Sequence, residues 1–284
     1  MEHKIALVTA PNSKTGRRVV ELLQNANMLV RIASRSTRIK FDWEDTNTWQ
    51  QAITGVDCAY IILPPNLAFA NMAARLHMFV QLCEKNALRR LVLLTGRGEA
   101  ESEKCEAVVL QSSIASTIVK TSWFSQNFSE GIFLESILNG EIVVPVSGVK
   151  EPFIDVNDIA EVVYRSLLDE SQNNHVYELT GPELLSFKDV ADMFSEKLNT
   201  NVNVTYIPLE TYLTELANLG LPYEEIKLTR YLFEQLLDGR NEYITSDLRD
   251  LLARDATSFQ QFIDNTKCSD VWNVSSYEET NNDD

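Results

Sequence analysis

The first residues whose types and spacing suggest chemistry lie in Ala10-Pro11-Asn12-Ser13-Lys14-Thr15-Gly16, between an apolar run and a helical pattern. Asn12, Ser13 and Thr15 can donate hydrogen bonds, and Lys14 adds a positive charge. A helix starting here offers unpaired amides and the positive end of its dipole. The set suits an anion; it equally describes a polar turn that caps a helix. In a dinucleotide-binding turn one glycine makes the tight bend, a second lets the backbone approach the pyrophosphate, and a third lets helix pack on strand. Gly16 can be the third. Ala10 stands at the first position, where a Cβ disfavours positive φ, and Ser13 at the second, where phosphate comes closest. Pro11 removes one amide donor. A P-loop fits poorly, because Ser13-Lys14-Thr15 lacks the glycines that precede such a triplet.

Arg35 follows the second apolar strand, where a basic residue accommodates an adenosine 2′-phosphate. Asp42-Trp43 end the next short run, near where an adenine ring could be bracketed. The plainer readings are surface for Arg35 and core for Trp43. A Tyr-x-x-x-Lys spacing occurs at Tyr223 and Lys227, where a lysine could lower a tyrosine pKa for proton transfer. It lies far from the fifth strand, where such a pair belongs, and reads as a chance match. After that strand stand Glu99, Glu101, Glu103 and Lys104, which read as the solvated start of a helix; one of the glutamates is a proton-donor alternative. His3, His77 and His175 form no triad and read as structural. No metal-ligand spacing is visible, and the catalytic residues stay unassigned.

The elements that must position these residues alternate. Ile5–Ala10, Met28–Ala33, Ile39–Trp43, Asp57–Leu63, the run 89–95 and the run 116–121 read as strands. Gly16–Asn25, Asp45–Ile53, a pattern through Met72, Leu76 and Cys83, and Ser102–Gln111 read as helices. This rhythm predicts an α/β protein: a Rossmann-like, doubly wound parallel sheet with helices on both faces. After about residue 120 the rhythm loosens, with helices led by Asp155 and Ser186. The expected organisation is a Rossmann-like core over 1–150 and a smaller, mostly helical substrate or lid domain over 151–270 with segments returning to the core. An acidic flexible tail follows over 271–284.

The chain has 284 residues, 44% of them hydrophobic, with 41 acidic against 25 basic side chains, a net charge of −16. That argues against a phosphate-backbone partner such as nucleic acid. A local basic cluster remains in Lys14, Arg17, Arg18, Arg31, Arg35 and Arg38. No apolar run is long enough to span a bilayer. Four scattered cysteines predict neither disulfides nor a metal centre and suit a reducing, cytoplasmic setting.

Taken together, the stretches at 8–23, 30–36, 41–49, 55–65, 121–128 and 152–167 resemble the NmrA-like branch of the atypical short-chain dehydrogenases. Within it they are most similar to bacterial proteins that resemble the ergot-alkaloid festuclavine and agroclavine dehydrogenases. The resemblance implies a Rossmann core, NADP(H) as cofactor, and reduction of a C=N or C=C bond or a quinone; some members instead sense NADP(H) and regulate a partner. It implies cofactor contacts at Asn12, Ser13, Lys14, Thr15, Gly16, Arg35, Asp42, Trp43, Pro64 with Pro65, Thr95 and Gly96. It implies substrate contacts at Trp123, Phe124, Asn127 and Phe153, with Gln126, Phe128 and Asp155 beside them. The chain departs from the pattern at Ala10 and Ser13, and at Lys120-Thr121, where Arg-Pro is usual. These departures predict that NADP(H) is held weakly or has been lost.

Three functions follow. One is an NADP(H)-dependent reductase of a small amine-containing, iminium or unsaturated metabolite. An iminium needs little acid catalysis, and Trp123, Phe124 and Phe153 could face its charge. The second is a cofactor-independent cyclase or isomerase in a repurposed cleft, and the third a regulatory binding protein that senses NADP(H) or has lost its ligand. The expected partner of the first is a small molecule, with no nucleic acid and no membrane, and with the protein as a monomer or homodimer.

Overall fold

The run Ile5–Thr9 forms the first strand of a parallel sheet in the computed structural model, which describes residues 4–64 and 71–273. His3, Pro65 and residues 274–284 of the acidic tail lie outside the described residues. The strands are β1 (Ile5–Thr9), β2 (Leu29–Ser34), β3 (Ile39–Lys40), β4 (Cys58–Ile62), β5 (Arg90–Gly96), β6 (Ala115–Thr121), β7 (Glu141–Val144), β8 (His175–Leu179) and β9 (Asn203–Tyr206). The helices are α1 (Lys14–Asn25), α2 (Trp49–Ile53), α3 (Met72–Lys85), α4 (Ala100–Leu110), α5 (Leu134–Leu138), α6 (Val156–Leu168), α7 (Phe187–Leu198), α8 (Leu209–Asn218), α9 (Tyr223–Tyr231), α10 (Asp247–Leu252) and α11 (Phe259–Lys267).

The sheet runs β3-β2-β1-β4-β5-β6-β8 and is seven-stranded among the described residues, all of its pairs parallel. Side chains alternate between its faces. Ala59 and Ile61 of β4 and Leu91 and Leu93 of β5 share one core with Phe79 and Cys83 of α3 and Cys105 and Val109 of α4. Tyr60 points the other way, to α1, which packs on α6. This is the doubly wound, Rossmann-like arrangement, with strand order reversing between β1 and β4. The third strand is shorter than its sequence predicts. It pairs only at Ile39–Lys40, because the backbone then turns at Asp42, which bridges to Asp45.

The chain forms two compact units. One holds the sheet: the described residues up to Thr121, with Val156–Leu179 and Asp247–Arg254. The other comprises Ser122–Asp155, Thr180–Ser246 and the described residues from Asp255 on. Its core is aromatic, built on Phe128, Phe133, Phe153, Phe187, Phe194 and Phe259, beside the parallel pair β7–β9. Among the described residues no helix is long and apolar enough to cross a membrane.

Candidate functional site: the first turn and the strand ends beside it

The backbone leaves β1 through Ala10, whose φ is +49°, in the left-handed region. The expectation that alanine would avoid it is overturned. The conformation costs an L residue roughly 1–2 kcal/mol, and the turn imposes it. The Ser13 N–H donates to the Ala10 carbonyl at 3.0 Å. A Cβ on Gly16 would lie 2.3 Å from that same carbonyl and 2.8 Å from Ser13 Oγ. Gly16 is therefore required for the helix to approach, and Ala10 keeps the bend of the missing glycine.

Ser13 is the N-cap of α1. Its Oγ accepts the Gly16 N–H at 3.0 Å and its carbonyl accepts the Arg17 N–H at 3.1 Å. The amides of Lys14 and Thr15 have no acceptor within the helix, as in any first turn. Asn12 is exposed. Burial, then the charges of Arg17 and Arg18, lower the pKa of Lys14, so an anion placed beside it would relieve a local excess of positive charge.

Two residues, Thr9 and Tyr60, carried no signal in sequence. Thr15 Oγ1, itself buried, accepts the Tyr60 hydroxyl at 2.9 Å. Burial raises the Tyr60 pKa, which keeps that hydroxyl a donor. The Thr9 hydroxyl donates to the Tyr60 carbonyl at 3.3 Å and accepts the Ile62 N–H at 2.9 Å. These bonds tie β1 to β4 at the point of reversal. Both residues read as ordinary strand positions until the register sets Val8 opposite Tyr60.

The other cofactor candidates of this unit lie at or beyond the carboxyl ends of its strands. Arg35 follows β2, exposed, its carbonyl accepting from Lys40 Nζ. Asp42 accepts the Glu44 N–H, while Trp43 packs edge-on against Phe41 and Phe79 at 4.9 and 5.5 Å. Pro64 follows β4, half-buried. Thr95 and Gly96 end β5. The Thr95 hydroxyl donates to Glu106 Oε1 at 2.8 Å, and Lys120 lies 3.2 Å from Glu106 Oε2, so α4 is fastened to both β5 and β6. Glu99 is not solvated. It is 7% exposed and accepts the Ser102 hydroxyl at 2.6 Å, and its Oε2 lies beside Gly96 at the end of β5, 3.3 Å from where a Cβ would stand. Buried Arg97 pairs with Glu178 of β8 at 2.7 Å. These buried charges were invisible in sequence, where alternating Glu and Lys read as surface.

Trp123, Phe124, Asn127 and Phe153 belong to the other unit. The Ile154 N–H donates to the Trp123 carbonyl at 2.9 Å and the Ser125 N–H to the Ile154 carbonyl at 2.8 Å. The two segments therefore run side by side, joined further by Gln126 Nε2 donating to Asp155 Oδ1 at 2.9 Å. Trp123, Phe124 and Asn127 are half-buried. The Phe153 ring sits in the core, 5.5 Å from Phe128 and 5.7 Å from Phe259. Tyr223 is 72% exposed on α9 of this second unit, and Lys227 pairs with Glu224.

The model of the NmrA-like family matches residues 101–262, more than half of the chain. The "Prestalk A differentiation protein A" of Dictyostelium discoideum is 26% identical, over 92% of this chain and 91% of its own. The agroclavine dehydrogenase of Claviceps fusiformis is 25% identical, over 94% and 98%. Among solved structures, the Citrobacter sp. triphenylmethane reductase complexed with NADP(H) matches with a TM-score of 0.80 at 18% identity, over 92% and 99% of the two chains. That last likeness carries the fold.

Proposed function

The chain belongs to the NmrA-like family, and on that premise we propose that it is an NADP(H)-dependent reductase of a small unsaturated or amine-containing metabolite. The observation that carries the reading is the β1–α1 turn. Ala10 holds the left-handed bend, Gly16 lies against the Ala10 carbonyl with no room for a Cβ, and the Lys14 and Thr15 amides open the helix. These features fit a dinucleotide. Names among the relatives and neighbours point the same way: the agroclavine dehydrogenase, and the triphenylmethane reductase with its NADP(H).

In this reading the first-turn amides and Lys14 would hold the pyrophosphate, together with Asn12 and Ser13. Arg35 would meet the 2′-phosphate, Asp42 and Trp43 would contact the adenine, and Pro64, Thr95 and Gly96 would contact the rest of the cofactor. When bound, the reduced nicotinamide would supply hydride. In the second unit, Trp123, Phe124 and Asn127 would contact the substrate. Four free thiols, three of them buried, suit a reducing, cytoplasmic setting.

Calorimetric titration with NADPH and NADP⁺ tests this reading. Micromolar binding is expected. Arg35→Ala should weaken NADPH roughly tenfold or more, the worth of one charge-assisted hydrogen bond, and leave NADH nearly unchanged. Equal losses for both cofactors contradict the role of Arg35. No binding at millimolar nucleotide, with turnover when none is added, favours instead a cofactor-independent isomerase or cyclase. Binding without turnover favours a sensor.

A further inference from the structure

In the second unit the rings of Trp123, Phe233 and Tyr212 form a continuous series. The Trp123 and Phe233 centroids are 6.0 Å apart, and those of Phe233 and Tyr212 5.5 Å. On the inner side Trp123 stacks on Phe133 at 6.4 Å, which stacks on Phe128 at 4.9 Å. Phe128 and Phe133 are fully buried, whereas Trp123 and Tyr212 are half-buried, so the series runs outward from the core.

Its outer members carry polar tips, and buried indole and phenol groups ordinarily find partners. The two tryptophans in the buried cores obey: Trp49 Nε1 donates to the Asp42 carbonyl and Trp272 Nε1 to the Phe128 carbonyl, each at 2.8 Å. Trp123 Nε1 and the Tyr212 hydroxyl have no acceptor among the described residues. Burial raises the Tyr212 pKa, so its hydroxyl stays a donor at neutral pH. Phe233 lies in the π-helical turn Leu232–Leu236 that follows α9. Such turns are rare and recur at functional sites.

We infer that Trp123, Phe233 and Tyr212 form a specificity-determining wall for a flat, conjugated substrate bearing a carbonyl or ring-nitrogen acceptor. The inference rests on the reading of Trp123 as a substrate residue. The rings are tilted, by 58° between Trp123 and Phe233 and by 78° between Phe233 and Tyr212, so a planar ring lies against half-buried Trp123 and Tyr212 with buried Phe233 holding them in place, and its acceptor takes a hydrogen bond from the Tyr212 hydroxyl or the Trp123 indole. A saturated, puckered molecule loses the flat contact.

Quinoline and naphthalene make the test, because they share size and flatness and differ in one ring-nitrogen acceptor. Each is titrated calorimetrically into the full-length wild type, Tyr212→Phe and Phe233→Leu, with NADPH titrated in parallel. Quinoline should bind more tightly than naphthalene. Tyr212→Phe should weaken quinoline about fivefold to tenfold, the worth of one neutral hydrogen bond, and leave naphthalene unchanged. Phe233→Leu should weaken both probes, and the NADPH Kd should not move. A quinoline Kd within twofold of wild type in both folded variants overturns the wall. Binding of NADPH but of neither probe also overturns the wall, and leaves the reductase reading intact. Binding of quinoline through Tyr212 without any binding of NADPH supports the wall and overturns the reductase reading alone.

Discussion

Ser13 does two things that its place in the turn sets against each other. As N-cap it satisfies the Gly16 amide, 3.0 Å from its Oγ, and in doing so withholds that amide from an anion. Ser13→Gly costs a helix cap only a few tenths of a kcal/mol. It should tighten NADPH binding by up to about tenfold, roughly 1.4 kcal/mol, in a calorimetric titration; unchanged or weaker binding counts against the phosphate role of the turn. Gly16→Ala goes the other way. Its Cβ would press on the Ala10 carbonyl at 2.3 Å, backbone against backbone. Overpacking of this kind costs typically 1–3 kcal/mol, which a lowered urea midpoint would register. An unchanged midpoint would mean that the turn can open.

At the scale of elements, the helix ends show why sequence signals worked where they did. Ser186 and Asp189 form a reciprocal capping box at the start of α7, and Ser258 and Gln261 another at α11. Both are local, joining residues three positions apart. Hydrogen bonds from the Ser186 N–H and hydroxyl hold the Asp189 carboxyl below its ordinary value of 3.8. A depressed folded pKa gives stability that is present above the unfolded value and is lost as pH falls through the folded one. Asp189→Asn should therefore lower the melting temperature at neutral pH and lose less than wild type on acidification below about pH 4. Parallel acid limbs in the two proteins would mean that Asp189 contributes nothing to the acid response. The ties of α4 are of another kind. Glu106 reaches Thr95 and Lys120, 11 and 14 positions away, and no local pattern announces such a contact.

For the whole molecule, charge and thiols set the behaviour. The N-terminal basic cluster is divided by the fold. Arg18 donates to Asn157 and to the Lys14 carbonyl, and Arg31 to the carbonyls of Ala52 and Thr54, whereas Arg17, Arg35 and Arg38 are exposed. Burial pushes the Cys58 thiol up to about 11 and Cys105 to about 12, and raises Cys83 further, whereas Cys268 is exposed. Since the thiolate is the reactive form, a disulfide reagent such as 5,5′-dithiobis(2-nitrobenzoate) should titrate one thiol promptly in the native protein. All four should titrate in denaturant. More than one fast thiol in the native state would mean that the sheet unit opens readily.

The amino-acid sequence by itself determined the alternation of strands and helices, the doubly wound class and the place of the first turn. Each is written in short-range periodicity and in residues a few positions apart. It also named Gly16, because a missing side chain is legible without coordinates. Tertiary structure alone decided that Ala10 takes the bend of a glycine, since the force that holds it comes from Ser13 and from the close approach of Gly16. The tertiary structure likewise buried Glu99 and paired Glu106 with Lys120. It set Tyr60 under Thr15 and brought Phe233 and Tyr212 to Trp123 across some ninety to a hundred and ten residues of chain. Burial and long-range contact belong to the packed chain as a whole, and the residues concerned look, one at a time, like ordinary surface or core.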